Sequence, residues 1–413
     1  MKVAVVNRSD AQGGAAVVSL RLVNALRKAG ITANLLVTEK ETTSPTVSTI
    51  GNKFANKFNF LAERAEIFAR NGWSRQNLFA IDTGSFGTDI SRNSIVKDAD
   101  VVVLNWINQG TMSLGDVRKL TRIGKPVVWV MHDMWNCTSV CHHAHDCTQY
   151  LTQCTACPLL GGNGKLALST WNRKHQLYSN TSIRFVAVSN WLADVCRRSS
   201  LMGSTDISVI NNPFPIEDFE WQPLSDIPQI PKDKKVIVMG ARRLDEYVKG
   251  FDILLELLQY IAREKPALSK QLHLLLYGDI RDHQLLNQIP VSFTYLGKVA
   301  GNDALNRIYR NAHIVISTSR YENLPGTLIE GASSGCIPVS FLRGGQDDII
   351  THKANGYLAK WQDISHLAQG IEWALTAPVS REELHRQMST RFNAQNIASQ
   401  YISLFEELIS TNK

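Results

Sequence analysis

His313-Ile-Val-Ile-Ser-Thr-Ser-Arg-Tyr-Glu-Asn-Leu-Pro-Gly-Thr-Leu-Ile-Glu-Gly-Ala-Ser-Ser-Gly-Cys-Ile-Pro-Val-Ser-Phe341 reads as strand, loop, helix and strand in succession. His313 to Ser317 is a short β-branched run of the kind buried in a parallel sheet. Leu324 to Ser334 has helical character until Gly335 stops it, and Pro338 to Phe341 begins another strand. Two carboxylates, Glu322 and Glu330, are thereby set at the carboxyl end of a strand and on the helix that follows. Open α/β sheets bind ligands at that edge, and a helix N-terminus favours an anion. Carboxylates there would repel a phosphate, so sugar hydroxyls are their expected partners.

The same alternation runs through both halves of the chain and predicts an α/β protein built from parallel βαβ units. In the first half the expected strands are Lys2 to Val6, Ala33 to Val37, Asp100 to Leu104, Pro126 to Met131 and Arg184 to Val188. In the second they are Lys235 to Met239, His273 to Tyr277, His313 to Ser317 and Pro338 to Phe341. Two Rossmann-like domains follow, 1–215 and 216–393, with a C-terminal helical segment 394–413 that can pack back on either domain. Asn211-Asn-Pro-Phe-Pro215 and the proline-rich polar stretch from Asp218 to Pro231 suit a linker. The expected ligand position is a cleft between the domains.

At 413 residues the chain exceeds what one core usually organises. No apolar run reaches the roughly 18 residues that span a bilayer, and Met1-Lys-Val-Ala-Val-Val6 enters a strand without a signal-peptide layout. The expectation is a cytoplasmic protein. A formal charge of +7 and an isoelectric point near 9.0 favour anionic partners, whether nucleotide diphosphates, acidic lipid or nucleic acid.

Three further places carry candidate chemistry. Gly240-Ala-Arg-Arg-Leu-Asp-Glu-Tyr-Val-Lys-Gly250 puts Arg243 and Lys249 after the first strand of the second domain, where two cations can neutralise a diphosphate. Solvated surface charge is the plainer alternative for the pair. Gly13-Gly14 joins the first strand to the helix Val17 to Ala29 and would let backbone approach a ligand, though a tight turn explains it equally well. His132 emerges from the strand Pro126 to Met131 at the same kind of edge. It can serve as a polar contact or as a hydrogen-bonded structural residue.

Together these motifs resemble the retaining nucleotide-sugar glycosyltransferases of the GT-B fold, specifically family 4. The carriers are Glu322-Asn-Leu-Pro-Gly-Thr-Leu-Ile-Glu330 with Gly335 and Pro338, Arg243 to Gly250, Gly13-Gly14, and Met131-His-Asp133. Met131-His-Asp-Met-Trp135 and Cys154-Thr-Ala-Cys-Pro158 are also similar to a bacterial polysaccharide-assembly subgroup. The resemblance implies two Rossmann-like domains facing each other across a deep cleft. Its donor would be a nucleotide-diphosphate sugar and its acceptor a glycan or lipid-linked saccharide, in surface polysaccharide or glycolipid biosynthesis. It implies that Arg243 and Lys249 bind the donor diphosphate, Glu330 the ribose and Glu322 the transferred sugar, which His132 contacts from the other domain. Gly13, Gly14, Asn323, Leu324, Gly326 and Thr327 complete the implied donor site, and no catalytic metal is expected. Pro325 has no N–H, so backbone donation must come from Leu324, Gly326 or Thr327.

Cys141, Cys147, Cys154 and Cys157 fall within seventeen residues of one another among several histidines, and the reading is a structural zinc, with free thiols or a local disulfide as alternatives. Lys53-Phe-Ala-Asn-Lys-Phe-Asn-Phe-Leu-Ala-Glu-Arg64, continued by Phe68, Trp73, Arg75 and Phe79, interleaves basic and aromatic residues. The favoured reading is an amphipathic helix packing its Phe face on the domain core; the other is peripheral contact with an anionic inner membrane surface. Two rival functions remain at this level. One is a GT-B-like sugar-nucleotide epimerase or phosphorylase. The other, a zinc-stabilised nucleic-acid-binding protein, leaves the glutamates without a role, so no nucleic-acid partner is expected.

Overall fold

The computed structural model of the protein describes residues 1–161, 164–224 and 226–411. Residue 225, within the expected linker, and residues 412–413, at the end of the expected C-terminal segment, lie outside the described residues. The chain divides into two compact units, one formed by Met1–Pro213 with Ala394–Lys413 and the other by Phe214–Asn393.

The first unit is a parallel sheet of β1 (Lys2–Ser9), β2 (Thr32–Glu39), β3 (Val47–Thr49), β4 (Val101–Leu104), β5 (Val127–Met131), β6 (Ile183–Ala187) and β7 (Ile207–Val209), in the order β3-β2-β1-β4-β5-β6-β7. Its central strands are buried along nearly their whole length, as strands covered on both faces must be. Between them run α1 (Gly14–Lys28), α2 (Lys53–Arg70), α3 (Ser94–Asp98), α4 (Leu114–Leu120), α5 (Gly164–Ser179) and α6 (Asn190–Arg198). Helix α1 turns Val18, Leu22, Val23 and Leu26 inward at helical spacing.

The second unit repeats the plan. Strands β8 (Lys235–Arg243), β9 (Leu272–Asp279), β10 (Ser292–Tyr295), β11 (Ile314–Ser317), β12 (Ile337–Phe341) and β13 (Tyr357–Ala359) form a parallel sheet in the order β10-β9-β8-β11-β12-β13. Helices α7 (Phe251–Glu264), α8 (Pro266–Gln271), α9 (Asn302–Arg310), α10 (Gly326–Ser333), α11 (Ile364–Thr376) and α12 (Arg381–Phe392) accompany it. The last helix, α13 (Ala394–Thr411), returns to the first unit and packs on α1 through a face that includes Ile397, Tyr401 and Phe405. In both sheets the strand order reverses beside the first strand, between β1 and β4 and between β8 and β11. Such switch points open a crevice at the carboxyl edge.

All nine expected strands are present, with ends shifted by a few residues. The four that the sequence reading lacked are β3, β7, β10 and β13, the outermost strands of the two sheets. Each has only three or four residues, too few for periodicity to register. The segment 53–79 departs from the favoured expectation. Helix α2 does not pack its Phe54 and Phe58 face on the core but leaves both exposed, because its polar face is bonded inward. Among the described residues no helix is long and apolar enough to cross a membrane.

Candidate functional site

In the second unit the switch point between β8 and β11 gathers the predicted residues. Strand β8 ends in Arg243, and the turn after it carries Lys249 and Gly250 ahead of α7. The loop after β11 is stitched to that turn: Arg320 N–H donates to the Val248 carbonyl at 2.8 Å, and Thr318 Oγ1 donates to the Gly250 carbonyl at 2.8 Å. Gly250 sits at φ +66, and a Cβ there would lie 2.1 Å from the Thr318 carbonyl oxygen, so only glycine permits this approach. Arg320 also forks onto the Asp252 carboxylate at 2.9 and 2.5 Å. The stitched loops place Lys249 Nζ 2.7 Å from Glu322 Oε1. Glu322 holds the lysine above its ordinary pKa against the opposing effect of burial. The backbone of Glu322 is held in turn, since its carbonyl accepts from Gly345 N–H at 3.1 Å.

Arg243 is held loosely, its Nε 3.4 Å from Asp245 Oδ1 and its Nη2 3.7 Å from Glu246 Oε1. Among the described residues that Nε makes no hydrogen bond, which leaves a cation with donor capacity at the edge of the sheet. Pro325 caps α10 from outside, so Gly326 and Thr327 are its first residues and offer backbone N–H groups at its positive end. Leu324 is buried and Asn323 half-buried in the preceding loop. Glu330 lies on α10, where its charge joins burial in raising the pKa of Tyr277 and Tyr309, whose hydroxyls are 2.5 Å apart.

In the first unit His132 and Asp133 follow β5. His132 Nε2 lies 2.8 Å from Asn105 Oδ1, and burial lowers its pKa to about 4 while Asp133 opposes, so the ring is neutral at ordinary pH. Asp133 accepts from Trp106 Nε1 at 2.9 Å and pairs with His142 Nδ1 at 2.7 Å. His142 Nε2 reaches Asp82 at 2.6 Å. Burial works against charging this imidazole, but Asp133 and then Asp82 push it up to about 10, making it a cation between two carboxylates. Asp82 in turn pairs with Arg64. Sequence reading found His132 but missed Asn105, Trp106, Asp82 and Arg64. It saw His142 only as one of the histidines among the cysteines. Their spacing carries no local period. Gly13, at φ +88, precedes α1, and a Cβ on Gly13 or Gly14 would meet nothing within 4 Å, so the turn borders open space.

The cysteine loop, where a structural zinc is expected, keeps its four cysteines close together. All seven cysteines are free, and among the described residues no three His, Cys, Asp or Glu side chains are placed to hold a metal ion. Cys154 and Cys157 join Ile67, Ile81, Val140, Leu160, Leu166 and Ala167 in an apolar cluster. Burial pushes Cys141 up to about 12 and Cys154 up to about 11 and raises Cys157, the direction expected of thiols among apolar side chains. Cys147 lines the same cavity of about 630 Å³ with Cys141, Cys154 and Cys157. A larger cavity of about 810 Å³ lies beneath the opposite, amino-terminal edge of β5 among Arg118, Arg122 and Lys125, away from every motif above.

Residues 222–391 match the family model described as glycosyl transferases group 1. Mannosylfructose-phosphate synthase of Agrobacterium fabrum is 29% identical over 192 residues, covering 42% of this chain and 40% of that protein. An uncharacterized glycosyltransferase of Methanocaldococcus jannaschii is 26% identical over 182 residues, covering 42% and 45%. The matched stretch therefore spans less than half the length of these relatives. Among solved structures, sucrose-phosphate synthase from Thermosynechococcus elongatus superposes with a TM-score of 0.67 over 100% of both chains at 15% identity. Anabaena HepE, solved with UDP and glucose, gives 0.63 over 99% of this chain and 100% of its own at 16% identity. The second unit thus matches the glycosyl transferases group 1 model over nearly its whole length, in a chain with the GT-B fold.

Proposed function

We propose that this protein transfers a sugar from a nucleotide-diphosphate donor to a glycan or lipid-linked saccharide, with retention of anomeric configuration, in surface polysaccharide or glycolipid assembly. The observation that carries the reading is the Lys249 and Glu322 pair, 2.7 Å apart at the switch point between β8 and β11. A lysine already bonded to a carboxylate is a poised cation: a donor diphosphate can take over Lys249 while Glu322 turns to sugar hydroxyls. Arg243 adds the second positive charge, the N–H groups of Gly326 and Thr327 add a helix N-terminus, and Glu330 takes the ribose. Positioning and charge stabilisation of the leaving diphosphate then supply the catalysis, and the leaving phosphate can accept the proton of a hydroxyl arriving on the same face. From the first unit, His132 is assigned to the transferred sugar and the Gly13-Gly14 turn to the donor. The curated relatives named as glycosyltransferase and as sugar-phosphate synthase, and HepE with its UDP and glucose, support a nucleotide-sugar donor.

A thermal-shift screen over sugar nucleotides, followed by product analysis with and without saccharide acceptors, tests the assignment. A stabilising donor whose sugar reaches an acceptor with its anomeric configuration kept is the expected result. Absence of any stabilising sugar nucleotide overturns it, and conversion of the donor sugar without acceptor turns it toward an epimerase.

A further inference from the structure

Helix α2 buries Ile67, but the rest of its inward face is polar: Asn56 Nδ2 donates to the Ile50 carbonyl at 2.8 Å, Asn59 Nδ2 donates to Thr88 Oγ1 at 3.2 Å, and Glu63 accepts from the Gly84 N–H at 2.8 Å. Arg64, also buried, donates to the carbonyls of Leu78 and Ile81 and pairs with Asp82. Positions 56, 59, 63 and 64 share one face at helical spacing, and these bonds fix which way the helix is turned. It cannot roll to bury its other side without breaking the bond of Glu63 to Gly84 and the pair of Arg64 with Asp82 in the interior.

The other side is apolar and bare. Phe54 is 86% exposed, Phe58 67% and Leu61 51%, a stripe at i, i+4 and i+7 that Ala65 and Ala69 continue. Beyond the helix Trp73 is 72% and Phe79 63% exposed. Ten large apolar side chains are exposed among the described residues and five of them lie in this segment, so they form a concentration and not the usual scatter of single surface residues.

The charge around the stripe selects its partner. Lys53, Lys57 and Arg75 are exposed, whereas both acidic residues of α2 turn away: Glu63 is buried, and Glu66 accepts from Thr83 Oγ1 at 2.8 Å and pairs with Arg70. A second copy meeting this face through a two-fold axis would set cation against cation. Aromatic residues interleaved with lysines on a helix lying flat suit an interface between acyl chains and anionic headgroups. We propose that the outer face of α2, with Trp73 and Phe79, docks the protein on an anionic lipid surface. Phe54, Phe58 and Leu61 enter the headgroup boundary while Lys53 and Lys57 meet the phosphates. The proposal deepens the transfer reading by placing the enzyme where a lipid-linked acceptor resides, and it rests on that reading only for this setting.

Co-sedimentation of the full chain with vesicles of phosphatidylcholine alone, or mixed with phosphatidylglycerol, tests it without any sugar nucleotide, so the two readings fail separately. The protein is expected to pellet with the anionic vesicles only, and less so as salt rises. The double variants Phe54→Ser/Phe58→Ser and Lys53→Glu/Lys57→Glu should each lower the partition coefficient by about tenfold or more, given the usual worth of a basic residue near an anionic surface. Both change exposed side chains, and unchanged melting curves would establish that they fold. No pelleting, pelleting indifferent to lipid charge, or anionic pelleting that both variants retain would overturn the proposal. So would a solution dimer that Phe58→Ser dissolves, which would give the face to a second copy.

Discussion

Lys249 Nζ and Glu322 Oε1 lie 2.7 Å apart, although 73 positions separate the two residues in the chain. The contact exists because the loops after β8 and β11 are neighbours at a switch point, and because the Thr318 carbonyl can approach a glycine. It joins a group suited to phosphate with a group suited to hydroxyls, as a sugar diphosphate requires.

Replacing Glu322 with Gln keeps the shape and removes the charge. Transfer turnover is expected to fall on the order of a hundredfold, the usual consequence of losing one charge-stabilising group in a site. Lys249→Gln should fall by a similar factor with weaker donor binding as well. Steady-state kinetics with the donor found by the thermal screen checks both, and near-normal turnover of Glu322→Gln would remove that residue from the site.

Acidification should weaken the fold through His132. Its folded-state pKa is about 4, below the ordinary 6.5, because burial disfavours the charged ring. Between those values the unfolded chain binds a proton that the folded protein refuses, so stability rises with pH across this window. Acidifying from 6.5 to 4 costs about 3 kcal/mol from this group. Urea unfolding at several pH values should show that slope in the wild type and a flatter one in His132→Gln. The same shift keeps His132 neutral in activity assays down to about pH 4.

Gly250→Ala should cost about 1 to 3 kcal/mol, combining a left-handed conformation that alanine resists with a clash against a backbone oxygen. Because that oxygen belongs to the strap holding Lys249 to Glu322, donor affinity should drop together with melting temperature. Loss of stability with donor affinity intact would show that the strap does not position the pair.

Helix α2 gives opposite expectations for its two faces. Arg64→Met leaves Glu63 buried without its cation and Asp82 with His142 alone, and should cost about 3 kcal/mol or more. Phe58→Ser, on the exposed side, should stay within about 0.5 kcal/mol. Chemical denaturation of the two variants makes the comparison, and the reverse order would mean that the aromatic face packs on the core after all.

The central strands, the alternation with helices, and the charged loops of the second unit were legible in the sequence because each is local: a buried strand is a run of β-branched residues, and a helix stop is a glycine. Glu322, Lys249 and Gly250 could be placed on the ligand edge from that pattern alone. The outer strands β3, β7, β10 and β13 were not legible, since three or four residues show no period and a strand at a sheet margin is defined by its neighbour. The chain from His132 through Asp133 and His142 to Asp82 and Arg64 was not legible either, because it joins residues from four separate stretches and no spacing announces it. The cysteine run reads as a metal site from its spacing, and only the fold shows that Cys154 and Cys157 also pack in an apolar cluster.

Sequence by itself determined that this protein is two parallel α/β units and which loops bring charge to the ligand edge of the second sheet, because local periodicity and loop composition encode both. Tertiary structure alone decided which face of α2 meets solvent. An amphipathic pattern gives two faces without saying which is inner, and here the buried partners of Asn56, Asn59, Glu63 and Arg64 made the choice.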